Sequence, residues 1–210
     1  MSECAATSTT LIDLIRHGEP RGGQRFRGTL DDPLSERGWQ QMHAAITEED
    51  RWDVIVSSPM QRCRFFAEEV ASARGIPLHI AEDLREVCFG VWEGLTADAI
   101  SERYGDDLAR FRANPATFTP PEGEPMGDFR DRVVRSFRHW QTALAGQRVL
   151  VVCHGGVIRM ILGDVLGVSL ERSFVSVSVP YASRSRIRVD QSKHGEFRSL
   201  LSHFSSELLR

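Results

Sequence analysis

Val149-Leu150-Val151-Val152-Cys153-His154-Gly155-Gly156 is five consecutive apolar residues running into a histidine and two glycines. An apolar run without alternation reads as a strand buried on both faces. Beyond the glycines, Ile158, Ile161 and Leu162 recur at helical spacing. Two similar strands lie upstream, Leu11-Ile12-Asp13-Leu14-Ile15 and Val54-Ile55-Val56, and Pro77 to Ile80 reads as a shorter one. Helical stretches separate them. Leu34 and Ser35 open one through Arg37, Trp39, Met42 and Ile46, with Ser35 as its N-cap. Ser58-Pro59 sets a capping hydroxyl before a proline at a first helical position, and Cys63, Phe66, Ala67 and Val70 form the apolar stripe of that helix.

Thr96 to Phe111 reads as one or two helices broken at Gly105. The stretch from Asn114 to Gly127, rich in Pro, Gly and Thr, reads as a loop or lid, so 95–127 is expected as a cap segment. From Asp128 onward, Phe129, Val133, Phe137, Trp140 and Leu144 define another helix. Val175, Val177 and Val179, then Ile187 and Val189, alternate as edge strands would. Buried strands separated by helices imply an α/β three-layer sandwich, its mainly parallel central sheet covered by helices on both faces. Residues 1–210 are expected to form a single domain, with 1–10 a polar tail.

The 210 residues, 41% hydrophobic and 26% charged, exclude disorder, collagen and coiled coil. A net charge of −3 gives the surface no general attraction for nucleic acid or acidic membrane, and neither is expected as a partner. No apolar run approaches the roughly 18 residues of a membrane span. The opening Met1 to Thr10 lacks the basic and apolar regions of a secretory signal. Cys4, Cys63, Cys88 and Cys153 are dispersed, with no CxxC pair, so neither a zinc site nor a disulfide framework is expected. A reduced, cytoplasmic location is therefore the expectation. Lys193 is the only lysine beside 25 arginines. Arginine grips planar oxyanions through two parallel hydrogen bonds, although arginine-rich codon usage produces the same bias.

In open α/β sheets ligands sit beyond the carboxyl ends of the strands. Arg16-His17-Gly18-Glu19 comes after the first strand, Ser57-Ser58-Pro59-Met60-Gln61-Arg62 after the second, and His154-Gly155-Gly156 after the most apolar one. His43, His79, His139, His194 and His203 read as surface or hydrogen-bonded structural residues, whereas His17 and His154 both leave a buried strand and precede glycine. Two histidines beside two arginines suit a tetrahedral oxyanion better than a metal, because guanidinium groups repel a dication. Arg16 and Arg62 offer forked donors, and His154 a ring N–H with the option of positive charge. Arg62 also lies in the first turn of its helix, where the dipole favours anions. His17, when neutral, has a lone pair for phosphorus, which is nucleophilic catalysis with arginines stabilising the transferring group. No metal or other cofactor is expected, and without a GxxxxGK[ST] loop a nucleotide triphosphatase is disfavoured.

These motifs, in this order, resemble the histidine phosphatase superfamily, also called the phosphoglycerate mutase-like family, over roughly Leu11 to Leu166. Leu14 to Glu19 resembles its nucleophile motif, Asp32 to Gly38 the segment opening its first helix, Ser57 to Arg62 its phosphate-binding turn, and His154-Gly155-Gly156 with Arg159 its second histidine motif. The resemblance implies a phosphoglycerate mutase-like fold and a phosphohistidine at His17, with Arg16, Arg62 and His154 completing the phosphate pocket. Leu84 to Gly94 is similar to the segment supplying the family's proton donor, which implies Glu86, with Glu93 and Glu124 in reserve; Glu93 is expected rather to anchor backbone near Gly94. Such a glutamate would serve as acid toward the leaving group and base toward water. Pro20 and Gly23 stand where family members often carry Ser or Thr and Asn, so Gln24 or Arg25 is the expected substitute contact. The compact chain, and the run Phe89-Gly90-Val91-Trp92-Glu93-Gly94, resemble the α-ribazole phosphatase and small-molecule phosphatase branch. The resemblance thus implies a metal-independent phosphomonoesterase of histidine acid type acting on a small phosphate monoester, with α-ribazole 5′-phosphate the first candidate and a sugar phosphate or broad specificity close behind. Phosphoglycerate mutase-type transfer and a non-catalytic phosphate-binding module are the alternatives. Trp92, Tyr104, Arg110, Phe111 and Arg112 are candidates for the pocket mouth.

Overall fold

The computed structural model describes residues 8–193 and 195–205. Residues 1–7 of the expected polar tail, Cys4 and His194 lie outside the described residues. The elements run β1 (Ser8–Arg16), α1 (Glu36–Ala44), β2 (Val54–Ser57), α2 (Gln61–Arg74), β3 (Leu78–Ile80), α3 (Ala97–Tyr104), α4 (Asp107–Ala113), α5 (Met126–Ala143), β4 (Arg148–Cys153), α6 (Gly155–Leu166), α7 (Leu170–Ser176), β5 (Arg184–Ser192) and β6 (Gly195–Phe204). Short 3₁₀ turns, Glu82–Leu84 and Gly90–Trp92, interrupt the segment after β3. Residues 8–10 of the expected tail are therefore part of the first strand.

One six-stranded sheet has the order β3-β2-β4-β1-β5-β6. β3, β2, β4 and β1 are parallel, while β5 and β6 add antiparallel to one side. Successive side chains on a strand point to opposite faces, and both faces here are apolar. Ile15, Ile55, Leu150 and Val152 pack beneath α1 and α2 against Met42, Cys63 and Phe66. Leu14, Val54, Val56, Val149 and Val151 pack against Phe129, Val133 and Phe137 of α5 and Ile158 and Ile161 of α6. This is the three-layer sandwich the apolar runs imply.

Several expected boundaries shift. Ser35 caps α1 through Gly38 N–H, as expected, and Gly105 separates α3 from α4. Met126 and Gly127, expected in a loop, belong to α5. The rest of that loop packs closely: Val91 N–H donates to Pro121 O, Glu124 N–H to Cys88 O, and Phe118 stacks on the buried Trp92. The alternation of Val175, Val177 and Val179 does not mark a strand. Val175 belongs to α7, and the carbonyls of Val177 and Val179 accept from Arg159 and Arg16 instead of a neighbouring strand. Ile187 and Val189 do lie on a strand, but β5 is interior and β6 forms the edge. Among the described residues no helix is long and apolar enough to cross a membrane.

Asp13 secures the joint between the parallel strands and β5. Its buried carboxylate accepts from Arg184 Nη2 (2.7 Å), Arg186 Nε (2.7 Å) and Trp52 Nε1 (2.7 Å), and Arg184 also reaches Asp50 (2.6 Å). Burial pushes the Asp13 carboxyl upward, but these hydrogen bonds outweigh it and leave its pKa below the ordinary value. Removing one partner of a buried charge cluster costs roughly 3–5 kcal/mol. Asp13→Ala is accordingly expected to lower stability by about 3 kcal/mol near neutral pH, because Arg186 is partly exposed and keeps some solvation. The deficit is full above the ordinary carboxylate range and shrinks as pH falls through the depressed Asp13 pKa, where the wild type loses the same charge. Denaturant unfolding at a series of pH values checks this; a deficit independent of pH would contradict it.

Candidate active site

The carboxyl ends of β1, β2 and β4 deliver the three expected segments to one edge of the sheet. Arg16 pairs with Cys153 at the end of the β1–β4 ladder, and His17 N–H donates to Cys153 O (2.9 Å). His17 and His154 thus leave adjacent strands together, their ring centroids 5.2 Å apart and their planes at 64°. Behind His17 the chain crosses the start of α1 so closely that a Cβ on Gly18 would lie 2.2 Å from Gly38 O. Glycine is required there for close backbone approach; its φ lies outside the left-handed region.

His17 is 5% exposed, and its Nδ1 lies 2.7 Å from Gly18 O. A carbonyl only accepts, so Nδ1 carries the proton and Nε2 keeps a free lone pair. Burial, then the positive charges of Arg62 and Arg16, hold its pKa well below the ordinary histidine value. His154, fully buried, is likewise held neutral by burial and then by Arg62, His17 and Arg16, so the positive charge the sequence allowed it is absent. Its Nε2 sits 2.7 Å from Ser58 Oγ. Ser58 therefore does not start α2 as expected. The helix begins at Gln61, whose N–H donates to Asp31 Oδ1 (2.7 Å), while the Ser58 hydroxyl serves a buried imidazole that has few other partners.

Both arginines expected at the site are held through main-chain carbonyls. Arg62, 1% exposed, donates from Nη1 to Leu30 O (2.7 Å) and from Nη2 to Gly28 O (2.9 Å). Arg16 Nη1 donates to Val179 O (2.5 Å), with its guanidinium 4.1 Å above the Tyr181 ring. In each, the buried Nε has no hydrogen-bond partner. The loop that holds Arg62 is itself tied down by Glu93, which accepts from Thr29 N–H, Thr29 Oγ1, Leu30 N–H and Phe89 N–H. Glu93 anchors backbone, as expected, but around Thr29 rather than at Gly94.

Glu86 Oε2 accepts from Gly156 N–H (3.1 Å) and Oε1 from Val87 N–H (3.1 Å). A Cβ on Gly156 would lie 2.3 Å from Glu86 Oε1, so the second glycine of the His154 motif makes room for this carboxylate. Arg132 staples the Glu86 segment from behind. It donates to the carbonyls of Asp83 (2.7 Å), Arg85 (2.9 Å) and Glu86 (3.0 Å) and forms a fork with Glu124 (2.6 and 2.8 Å). Glu124, the other reserve candidate, in turn accepts from Cys88 N–H (3.3 Å).

Arg16, His17, Arg62 and Glu86 line one cavity of about 750 Å³, and Gln24 and Arg25 stand exposed at its side. His154 lies behind the wall, beneath His17. Phe111 and Arg112 line the mouth, whereas Trp92 is wholly buried in the core and Tyr104 and Arg110 stand away from the cavity. Reasoning from sequence missed Arg27, Phe174 and Tyr181 and gave Arg159 no separate role; all four line it. Tyr181 lies between the two alternating runs read as strands, and no local pattern marks it. Among the described residues no group of three or more His, Cys, Asp or Glu is placed to hold a metal ion.

The family model described as Histidine phosphatase superfamily (branch 1) matches residues 12–200. The chain is 32% identical over 191 residues to phosphoserine phosphatase 1 of Hydrogenobacter thermophilus, covering 86% of this chain and 87% of that one. Among solved structures, the mycobacterial glucosyl-3-phosphoglycerate phosphatase Rv2419c superposes with a TM-score of 0.83 at 24% identity, over 94% of this chain and 100% of that one. A putative α-ribazole-5′-P phosphatase from Escherichia coli superposes at 0.79 and 24% identity, over 94% and 96%. At that identity the two superpositions speak for the fold. Together with the matched residues, which span both histidine motifs and the sheet that aligns them, these likenesses show that the chain belongs to the histidine phosphatase superfamily, branch 1.

Proposed function

We propose that this protein is a phosphomonoesterase that hydrolyses a small phosphorylated metabolite through a phosphohistidine at His17. The observation that carries the reading is a neutral, buried histidine with a free Nε2 among two arginines whose buried Nε donors lack partners. Unpaired buried donors are costly in a folded protein unless a ligand uses them. A phosphoryl group would take both, and the guanidinium charges would stabilise its transition state without a metal ion.

His17 Nε2 attacks phosphorus as the ester P–O bond breaks, and Glu86, as the carboxylic acid, gives its proton to the departing oxygen. Water then attacks the phosphohistidine, its proton passes to the Glu86 carboxylate, and the P–N bond breaks to release inorganic phosphate. His154, with Ser58 Oγ at its Nε2 and Cys63 Sγ against its ring, supports His17 from behind the cavity wall. Arg132 and Glu124 position Glu86 without touching substrate. The 32% relative is named a phosphoserine phosphatase, which supports a small phosphorylated metabolite as substrate. α-Ribazole 5′-phosphate rests on the sequence resemblance and a likeness of fold, and it belongs in the substrate screen with phosphoglycerates, whose interconversion would mark a mutase.

His17→Ala is expected to abolish hydrolysis of p-nitrophenyl phosphate, and acid-labile phosphate label should appear on the wild type and not on the variant. Wild-type turnover should persist in chelator. Label on serine or aspartate would overturn the mechanism. Because the folded His17 pKa is depressed, the nucleophile stays neutral as pH falls through the ordinary histidine range of about 6.5. Phosphoenzyme formation should therefore show no acid limb from His17 there, measured by rapid quench. Glu86→Gln should slow alkyl phosphates by roughly 10²–10⁴-fold, as expected for loss of a general acid, and p-nitrophenyl phosphate far less. Arg132→Met should give the same leaving-group selectivity in milder form; equal losses on both substrates would make Arg132 purely structural.

A further inference from the structure

Arg159 has an open charge in the same cavity. It stands one turn along α6 from Gly155, and its Nε is spent on Val177 O (2.9 Å). The guanidinium lies 5.3 Å from the centre of the Phe174 ring. Among the described residues its two terminal nitrogens have no hydrogen-bond partner, and no carboxylate lies within ion-pair distance. The neighbouring arginines differ: Arg27 is paired with Asp32 and Arg132 with Glu124. Gly155 leaves bare backbone between two guanidinium groups. A Cβ there would lie 3.4 Å from Arg16 Nε and 3.5 Å from Arg159 Nη1.

Among the groups of the cavity withdrawn from solvent the charges do not balance; Asp98, the other carboxylate that lines it, is exposed. Arg16, Arg62 and Arg159 face Glu86 as the carboxylate acting on Arg159, and Glu86 surrenders its charge whenever it carries the proton the reaction needs. A phosphoryl dianion offsets two of the three cations. Burial lowers the Arg159 pKa, yet a guanidinium stays charged in proteins, so the third cation remains. With Nε occupied, Arg159 presents its two terminal nitrogens end-on, a planar fork that matches a carboxylate. Arg25 and Arg112 stand exposed and well solvated at the mouth, where they add field rather than grip.

We propose that the substrate of this cavity carries, close to its phosphate ester, a carboxylate received by the end of Arg159, which makes Arg159 a specificity-determining residue. The proposal rests on the phosphatase reading above. O-phospho-L-serine and O-phosphoethanolamine differ by one carboxylate and serve as the probes. The wild type is expected to favour phosphoserine in kcat/KM by about 10- to 100-fold, the range for a hydrogen-bonded charge pair. Arg159→Met should bring that ratio close to 1 through its effect on phosphoserine, and Arg159→Lys should recover part of it. A merely structural Arg159 would lower both substrates equally, and that result overturns the proposal. Calorimetric binding of the same two compounds to His17→Ala needs no turnover, and equal affinities there also overturn it. Hydrolysis of p-nitrophenyl phosphate with no preference for phosphoserine removes this inference and leaves the phosphatase reading standing. Loss of all hydrolysis with a retained binding preference does the reverse.

Discussion

The parallel ladder between β1 and β4 is the constraint on which the site depends. Its register sets Arg16 opposite Cys153, so the next residue on each chain is a histidine and the two rings meet edge to face. A slip of one residue would move every side chain of a strand to the opposite face, exchanging the two apolar sets that α1 and α2, and α5 and α6, each cover. The hydrophobic pattern that stabilises the sandwich therefore also aligns the edge that carries the candidate site. Asp13, three residues before Arg16, fastens β5 to the same strand and brings the chain from α7 back toward Arg16 and Tyr181.

Around that edge the protein buries several cations with few carboxylates. Arg62 and Arg16 are solvated mainly by carbonyl dipoles of Gly28, Leu30 and Val179. Carbonyls compensate part of the desolvation while leaving net positive charge, which suits transient binding of an anion better than a tight ion pair would. The carboxylates serve one layer further out. Glu93 holds the loop that cradles Arg62, and Glu124 works with Arg132 to hold the segment bearing Glu86. Their charge is spent on orientation.

Much of this was legible in the chain. Val149 to Cys153, Leu11 to Ile15 and Val54 to Val56 are strands because no other element buries such short apolar runs on both sides, and the residues at the end of each run had to share one edge. Where local reading failed, a distant partner had outcompeted a local preference. Ser58-Pro59 carries the pattern of a helix start, but Asp31 caps the helix and the hydroxyl goes to His154. Val177 and Val179 alternate like a strand, but their carbonyls meet guanidinium groups.

Residue order alone therefore settled the sandwich, its parallel half and the convergence of His17, His154, Arg16 and Arg62, because periodicity and strand ends are local properties. Protonation, tautomer and the distal wall belong to the tertiary structure. His17 is neutral because burial and two arginines, one at the end of β1 and one at the start of α2, act on it, and its proton sits on Nδ1 because Gly18 O lies opposite. Tyr181 reaches the cavity through the return of the chain from α7 to β5, and Val177 on that return holds the Nε of Arg159 from α6, a path that no local spacing encodes. Electrostatic fields and cavity walls sum over residues far apart in sequence, and only the packed chain brings them within range.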